Sequence, residues 1–259
     1  MEFTTTMLPR MNFLFAATIG AAALPWLTSC GVTGDAPQRV SFRISPTGWL
    51  AETLAKRDAP PSEPDAALPA LVLVHGIDGS GRDMARLARA LRADGRTVHV
   101  IDLKPSDGSA PLEELSAQLA GFVETRLADD TPFDLAGYSM GGLVARHYLQ
   151  ERGGHARVRR FVSISSPHNG TLVAWLRAKP GARQMRAGSA FLRRLAEPES
   201  IARLPPTTSF MTVTDLVIVP FTSSALPDAR NIRLFGWGHF TGIIQPHAVR
   251  RIVRECNRD

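Results

Sequence analysis

The stretch "FDLAGYSMGGLVARHYL", residues 133–149, carries the reading of the fold. It opens on strand-forming residues, Phe133, Leu135 and Ala136. It closes on Leu143, Val144, His147 and Tyr148, whose spacing lays an apolar stripe along one face of a helix. Between the two stands Gly137-Tyr138-Ser139-Met140-Gly141. A strand that turns straight into a helix leaves no room for side chains at either end of the turn, and glycines hold both ends here. This is the G-x-S-x-G pattern of a nucleophile elbow, in the strand–turn–helix setting that pushes a serine out at the tip. A glycine-rich turn with an incidental serine fits the same five residues, so the rest of the chain has to decide.

Outward from this point, strands and helices alternate. Before it, "ALVLVHG" (70–76) reads as a buried strand, "RDMARLARALRAD" (82–94) as an amphipathic helix, "TVHVIDL" (97–103) as a strand and "PLEELSAQLAGFVETRLAD" (111–129) as a helix. After it, "VRRFVSISSP" (158–167), "TSFMTVTD" (208–215) and "NIRLFG" (231–236) read as strands, and "PHAVRRIVREC" (246–256) as a closing helix. Upstream, "RVSFRI" (39–44) suits a strand and "WLAETLAK" (49–56) a helix start, with a proline-rich loop over 58–69. The alternation predicts an α/β class fold with a mainly parallel central sheet and helices on both faces. Chemistry in such sheets gathers at the carboxyl ends of the strands. The catalytic domain is expected to span 38–259. Residues 172–205 are too long for a plain connection. They set Trp175, Leu176, Met185, Phe191, Leu192 and Leu195 among arginines, and read either as a small helical cap over a pocket or as apolar packing on the sheet.

The chain has 259 residues, 44% of them hydrophobic, enough to bury a sizeable core. The formal charge of +6 comes almost wholly from arginine, since Lys56, Lys104 and Lys179 are the only lysines. The arginines are scattered and no run alternates basic with aromatic residues, which argues against nucleic-acid binding and for a solvated basic surface. No His/Cys/Asp cluster has ligand spacing, so neither a metal nor any other cofactor is expected.

A serine nucleophile needs a base, a group that orients the base, and donors for the oxyanion. On an elbow scaffold the chain order is serine, acid, histidine, each in a loop after a strand. Of the seven histidines, His239 in Gly236-Trp237-Gly238-His239 follows the last strand in a glycine-rich loop, the place for the base. His168, in a loop after a strand, is its rival. His75 ends a strand but precedes the serine, His147 suits packing in the elbow helix, and His155 and His247 suit the surface. Asp215, at the end of the preceding strand, is the expected acid; Asp228 in the same connection suits a turn. The oxyanion donors are expected to be the backbone N–H groups of Met140 and Ile77. Gly76 permits the tight turn beside Ile77, as Gly137 and Gly141 permit the elbow. Asp78 is expected to point away from the oxyanion and cap the helix that follows.

Three blocks together resemble bacterial triacylglycerol lipases and esterases of the α/β-hydrolase superfamily: "GYSMGGLVARHYL", "SISSPHNGT" (163–171), and the run from "TDLVIVP" through "DARNIRLFGWGHFTGI". The last block is similar to the small Bacillus-type lipases. The resemblance spans about residues 69–255 and implies an α/β-hydrolase fold. It also implies a Ser139–Asp215–His239 triad, oxyanion donors at Ile77 and Met140, no cofactor, and an acyl ester or lipid substrate. Lipase, carboxylesterase, thioesterase, amidase and acyltransferase share this machinery. A non-catalytic envelope protein that keeps the fold for binding is the reading from another class.

The N-terminus reads as a leader. Arg10 precedes an apolar stretch from Phe13 to Leu27, broken by Pro25 and short for a membrane span. Leu27-Thr28-Ser29-Cys30 resembles a bacterial lipobox, in which cleavage before the cysteine precedes its diacylation. Residues 1–29 are then a lipoprotein signal peptide, Cys30 the lipidated residue, and 30–37 a tether. Cys256, the second of two cysteines, is left without an intrachain partner. The expected location is the bacterial envelope membrane, or the medium if the leader is an ordinary secretory signal; a monomer is the default. On the lipoprotein reading, Cys30→Ala moves the protein from the detergent-soluble membrane fraction to the soluble fraction. Fractionation, with mass spectrometry of the mature N-terminus, checks this, and a wild type released with an unmodified N-terminus overturns it.

Overall fold

A computed structural model describes residues 68–128 and 130–258. Cys30, the leader, the tether, the expected strand at 39–44 and the helix start at 49–56 lie outside the described residues. Six strands form one sheet: β1 (Leu71–Val74), β2 (Val98–Ile101), β3 (Phe133–Tyr138), β4 (Val158–Ile164), β5 (Thr207–Thr212) and β6 (Arg230–Leu234). Their spatial order is β2-β1-β3-β4-β5-β6. Every pairing is parallel, as the alternation of strands and helices predicts. β1 and β3, at the centre, are buried along their whole length, which is why they read as continuous rather than alternating apolar runs.

Eight helices connect and cover the strands among the described residues: α1 (Ala85–Ala93), α2 (Leu112–Arg126), α3 (Met140–Glu151), α4 (Pro180–Gln184), α5 (Ala190–Leu195), α6 (Pro198–Ile201), α7 (Thr241–Ile244) and α8 (Pro246–Cys256). Leu112, Leu115, Leu119 and Val123 of α2 pack with Leu143, Val144 and Leu149 of α3 on one face of the sheet. Leu87 and Leu91 of α1 pack with Val249, Ile252 and Val253 of α8 on the other. Burial of a side chain of this size stabilises by roughly 1.5–3 kcal/mol, and two such layers flatten the sheet's exposed faces against helices on both sides. No described helix is long and apolar enough to cross a membrane.

Both ends of the sheet hold charge. At the amino end, Arg96, fully buried, pairs with Asp134 on β3. The same guanidinium donates to the Cys256 carbonyl and, at 3.1 Å, to Asn257 Oδ1, so the last turn of α8 is fastened to the central strand. Cys256 itself is buried and forms no disulfide among the described residues, and burial pushes its thiol up to about 12. Replacing Arg96 by methionine leaves the buried Asp134 carboxylate facing only the half-exposed Arg159 at 3.6 Å. The expected loss is about 3–5 kcal/mol of unfolding free energy, to be read from urea titration of the two proteins.

Candidate active site

The site lies at the carboxyl ends of β1, β3, β5 and β6. β3 enters the elbow with so little clearance that glycine is required: a β-carbon at Gly137 would come within 2.5 Å of the Gly142 Cα, and one at Gly141 within 2.5 Å of the Val74 carbonyl oxygen. Ser139 takes the strain of the turn, at φ 54° and ψ −125°, a conformation costly for a residue with a β-carbon. Its Oγ lies 2.8 Å from His239 Nε2. His239 Nδ1 lies 2.7 Å from Asp215 Oδ2. The other carboxylate oxygen, Oδ1, accepts from Val217 N–H and Ile218 N–H, each at 2.8 Å. Asp215 is thus held by backbone donors on one side and aligns the imidazole with the other.

The structure therefore brings Ser139, His239 and Asp215 into one hydrogen-bonded line, all three buried. Asp228 lies exposed at φ 55°, as a turn residue does. His168 is buried elsewhere: its Nε2 lies 2.7 Å from Ser163 Oγ, and its peptide carbonyl accepts from Arg146. Burial, and then the charge of Arg146, push its pKa well below the usual imidazole range. His147 packs against Phe191, ring centroids 5.6 Å apart, and His155 and His247 are exposed. Sequence reasoning missed Thr214 and Tyr138. Thr214 Oγ1 accepts from Gly238 N–H at 3.1 Å, bracing the histidine loop against the aspartate loop. The Tyr138 ring lies 5.0 Å from the imidazole. A hydroxyl beside the acid is the only signal for the first, and the x position of the elbow the only one for the second.

Ile77 and Met140 stand on either side of Ser139. A β-carbon at Gly76 would lie 3.0 Å from Ser139 Cβ, which puts the Gly76–Ile77 peptide alongside the serine. Met140 opens α3, so its N–H has no partner within the helix. Among the described residues neither Ile77 N–H nor Met140 N–H makes a hydrogen bond. Asp78 departs from expectation. The turn after β1 is capped by Ser80 and Asp83, with Ser80 N–H donating to Asp83 Oδ2 at 2.7 Å. Asp78 instead pairs with Arg177 at the mouth of the site. The capping-box spacing of Ser80 and Asp83 satisfies the orphan donors without it.

A cavity of about 390 Å³ opens beside Ser139, its walls largely apolar: Ile77, Val173, Ala174, Ala182, Met185 and Ile218. Residues 172–205 divide between the two readings of that segment. All of Ala174, Ala182, Met185, Phe191, Leu192 and Leu195 are buried in the layer that holds α2 and α3, but only Ala174, Ala182 and Met185 also line the cavity. Buried Arg146 donates to the Leu195 carbonyl at the carboxyl end of α5, where the helix dipole favours a cation. Around the mouth, Trp175, Leu176, Leu216 and Trp237 are exposed, the last by 90%. Among the described residues no group of three or more His, Cys, Asp or Glu could hold a metal ion.

Residues 70–197 match the palmitoyl protein thioesterase family, a span of just under half of the chain that holds Ser139 but neither Asp215 nor His239. No curated protein matches the sequence. Among solved structures, the mature lipase of Bacillus licheniformis is 20% identical at a TM-score of 0.59, over 76% of this chain and 95% of that one. Lipase B of Aspergillus fumigatus is 20% identical at 0.66, over 79% of this chain and 57% of that one. The thioesterase domain of the curacin biosynthetic pathway is 16% identical at 0.54, over 76% and 93%. The fold is that of the α/β-hydrolases.

His168 generates a pH prediction. Its folded pKa lies below the unfolded value near 6.5, so the stability it contributes is present above about pH 6.5 and is lost as pH falls through that value toward the folded pKa. Below pH 6 the slope from this group approaches about 1.4 kcal/mol per pH unit. Calorimetric melting between pH 7.5 and 5 is expected to show the decline, and His168→Gln, which keeps a partner for Ser163 but cannot titrate, to flatten it.

Proposed function

We propose that the protein is a serine hydrolase that cleaves acyl esters or thioesters through Ser139, His239 and Asp215. The observation that carries the reading is the unbroken line Ser139 Oγ, His239 Nε2, His239 Nδ1 and Asp215 Oδ2, with steps of 2.8 and 2.7 Å across the ring, at the mouth of an apolar cavity.

Each part has a task. Asp215 holds the proton of His239 on Nδ1, leaving Nε2 free to take the Ser139 proton as Oγ attacks the acyl carbonyl. Negative charge then develops on the carbonyl oxygen, and the two unpaired N–H groups, Ile77 and Met140, are its donors. The imidazolium returns its proton to the departing alcohol or thiol, leaving an acyl-enzyme on Ser139. Water, deprotonated by His239, attacks that acyl group and regenerates the serine. The apolar cavity suits the hydrocarbon part of the acyl chain, and the exposed apolar mouth suits a lipid-like substrate. We further propose that Cys30 tethers this domain to a bacterial envelope membrane.

A thioester preference is the second reading, favoured by the match of residues 70–197 to the palmitoyl protein thioesterase family. Paired oxyester and thioester substrates of the same acyl chain, over a series of chain lengths, separate the two. Under the common reading a fluorophosphonate probe labels the wild type and not Ser139→Ala. Ser139→Ala and His239→Ala each lose about 10⁴–10⁶ in kcat, Asp215→Ala less, and the losses do not add. Unlabelled wild type, or Asp215→Ala at full activity, overturns the assignment.

A further inference from the structure

An oxyanion donor is useful only if its peptide faces the right way. An N–H shares its peptide plane with the carbonyl of the preceding residue, and in a trans peptide the two point in opposite directions. Whatever holds the Gly76 carbonyl therefore holds the Ile77 N–H. The need for such a hold is built into the site. A β-carbon at position 76 would crowd Ser139 Cβ at 3.0 Å and the Tyr138 ring at 3.3 Å, and the glycine that stands there has no β-carbon to resist rotation of the adjoining peptide. A flipped peptide would turn an oxygen lone pair toward the developing negative charge in place of a donor.

The Gly76 carbonyl is held by the neighbouring side chain. His75 Nδ1 lies 2.9 Å from Gly76 O. A carbonyl oxygen only accepts, so Nδ1 carries the ring proton. His75 Nε2 lies 2.9 Å from the Leu103 N–H, which only donates, so Nε2 is the bare nitrogen. The ring is fully buried, and each nitrogen has a backbone partner in the one neutral tautomer that satisfies both. The exposed Asp102 carboxylate stands 3.8 Å from Nε2, beyond hydrogen-bond reach, and accepts from Gly81 N–H instead. The remaining hold on Gly76 O is Gly79 N–H, at the longer distance of 3.3 Å. Leu103 lies just beyond β2, so the imidazole braces the oxyanion loop against the next loop of the sheet. A second tie runs the same way, from Asp78 N–H to the Ser106 carbonyl at 2.9 Å.

We propose that His75 is the positioning residue of the oxyanion site: its neutral ring, donating from Nδ1 to Gly76 O and accepting at Nε2 from Leu103 N–H, keeps the Ile77 N–H turned toward Ser139. The role rests on Ser139 being the nucleophile. It differs from that of His239, since His75 moves no proton and touches no reacting atom.

Two substitutions separate the bonds the ring makes. In His75→Asn the amide nitrogen stands where Nδ1 stood and still donates to Gly76 O. In His75→Gln the amide oxygen stands where Nε2 stood and still accepts from Leu103 N–H, but the donor to Gly76 is gone. With p-nitrophenyl butyrate, His75→Gln is expected to lose about 10–100-fold in kcat with KM within about threefold. His75→Asn is expected to keep kcat within about fivefold, whatever its melting temperature. The ¹⁵N imidazole spectrum of the wild type, which needs no variant to fold, should show His75 neutral and protonated at Nδ1. Equal kcat losses in the two variants, an unchanged kcat in His75→Gln, or a proton on Nε2 overturns the role while the wild type stays active. A wild type that neither hydrolyses the ester nor reacts with a fluorophosphonate overturns the nucleophile reading, and this role with it.

Discussion

The absence of clearance between α3 and the ends of β1 and β3 governs the rest of the structure. Because Gly141 presses on the Val74 carbonyl, the first turn of the helix sits directly above the central strands, and its N-terminal dipole meets the point where chemistry would place negative charge. The same pressure forces Ser139 into its left-handed conformation and turns its side chain out of the sheet. It also draws the Gly76–Ile77 peptide alongside. One packing constraint thus sets the conformation of Ser139, the place of the free Met140 N–H at the head of α3, and the position of the Gly76–Ile77 peptide. From the carboxyl ends of β5 and β6 the chain then brings Asp215 and His239 into hydrogen-bond reach of Ser139.

The wall of the cavity is fastened by charges of two kinds. The Asp78–Arg177 pair at the mouth is about half exposed, and an ion pair so placed contributes little to stability. Arg146, deep beneath the segment, has no acid for a partner among the described residues. Burial lowers its guanidinium to about 10, and its hydrogen bonds go to Gln150 and to the carbonyls of His168 and Leu195. A buried cation satisfied by carbonyl dipoles suits a static joint. The two ends of the 172–205 segment therefore differ in what holds them: α5 is bolted to the elbow helix through Arg146, whereas the turn at Leu172–Leu176 is tied by Leu172 N–H to the Val219 carbonyl and by Arg186 to the Ala174 carbonyl.

Much of this was legible from residue order. The elbow reads from its glycines, and the order of Ser139, Asp215 and His239 from their positions after strands, because close packing and strand-end geometry leave local marks. The strand alternation reads for the same reason. Three features left no such mark. Asp78 looks like a cap, but Ser80 and Asp83 already form one two residues on, and its partner Arg177 is distant in sequence. The split of residues 172–205 depends on which apolar residues meet α3 and which meet the cavity, a matter of tertiary contact that periodicity over such short helices does not encode. His75 reads as an ordinary strand-end histidine, because its two partners are backbone groups and backbone groups have no letter in a sequence.

The fastening of Arg96 has a consequence for the order of assembly. Asp134 is the second residue of β3, and the guanidinium that neutralises it also awaits the Cys256 carbonyl and the Asn257 side chain. Those acceptors lie 160 and 161 residues along the chain from Arg96. Until α8 docks, the layer it shares with α1 lacks Val249, Ile252 and Val253, and one face of the sheet stays open to water. The core therefore closes only when segments this far apart in sequence have met, and contacts of such separation set a slow pace for folding.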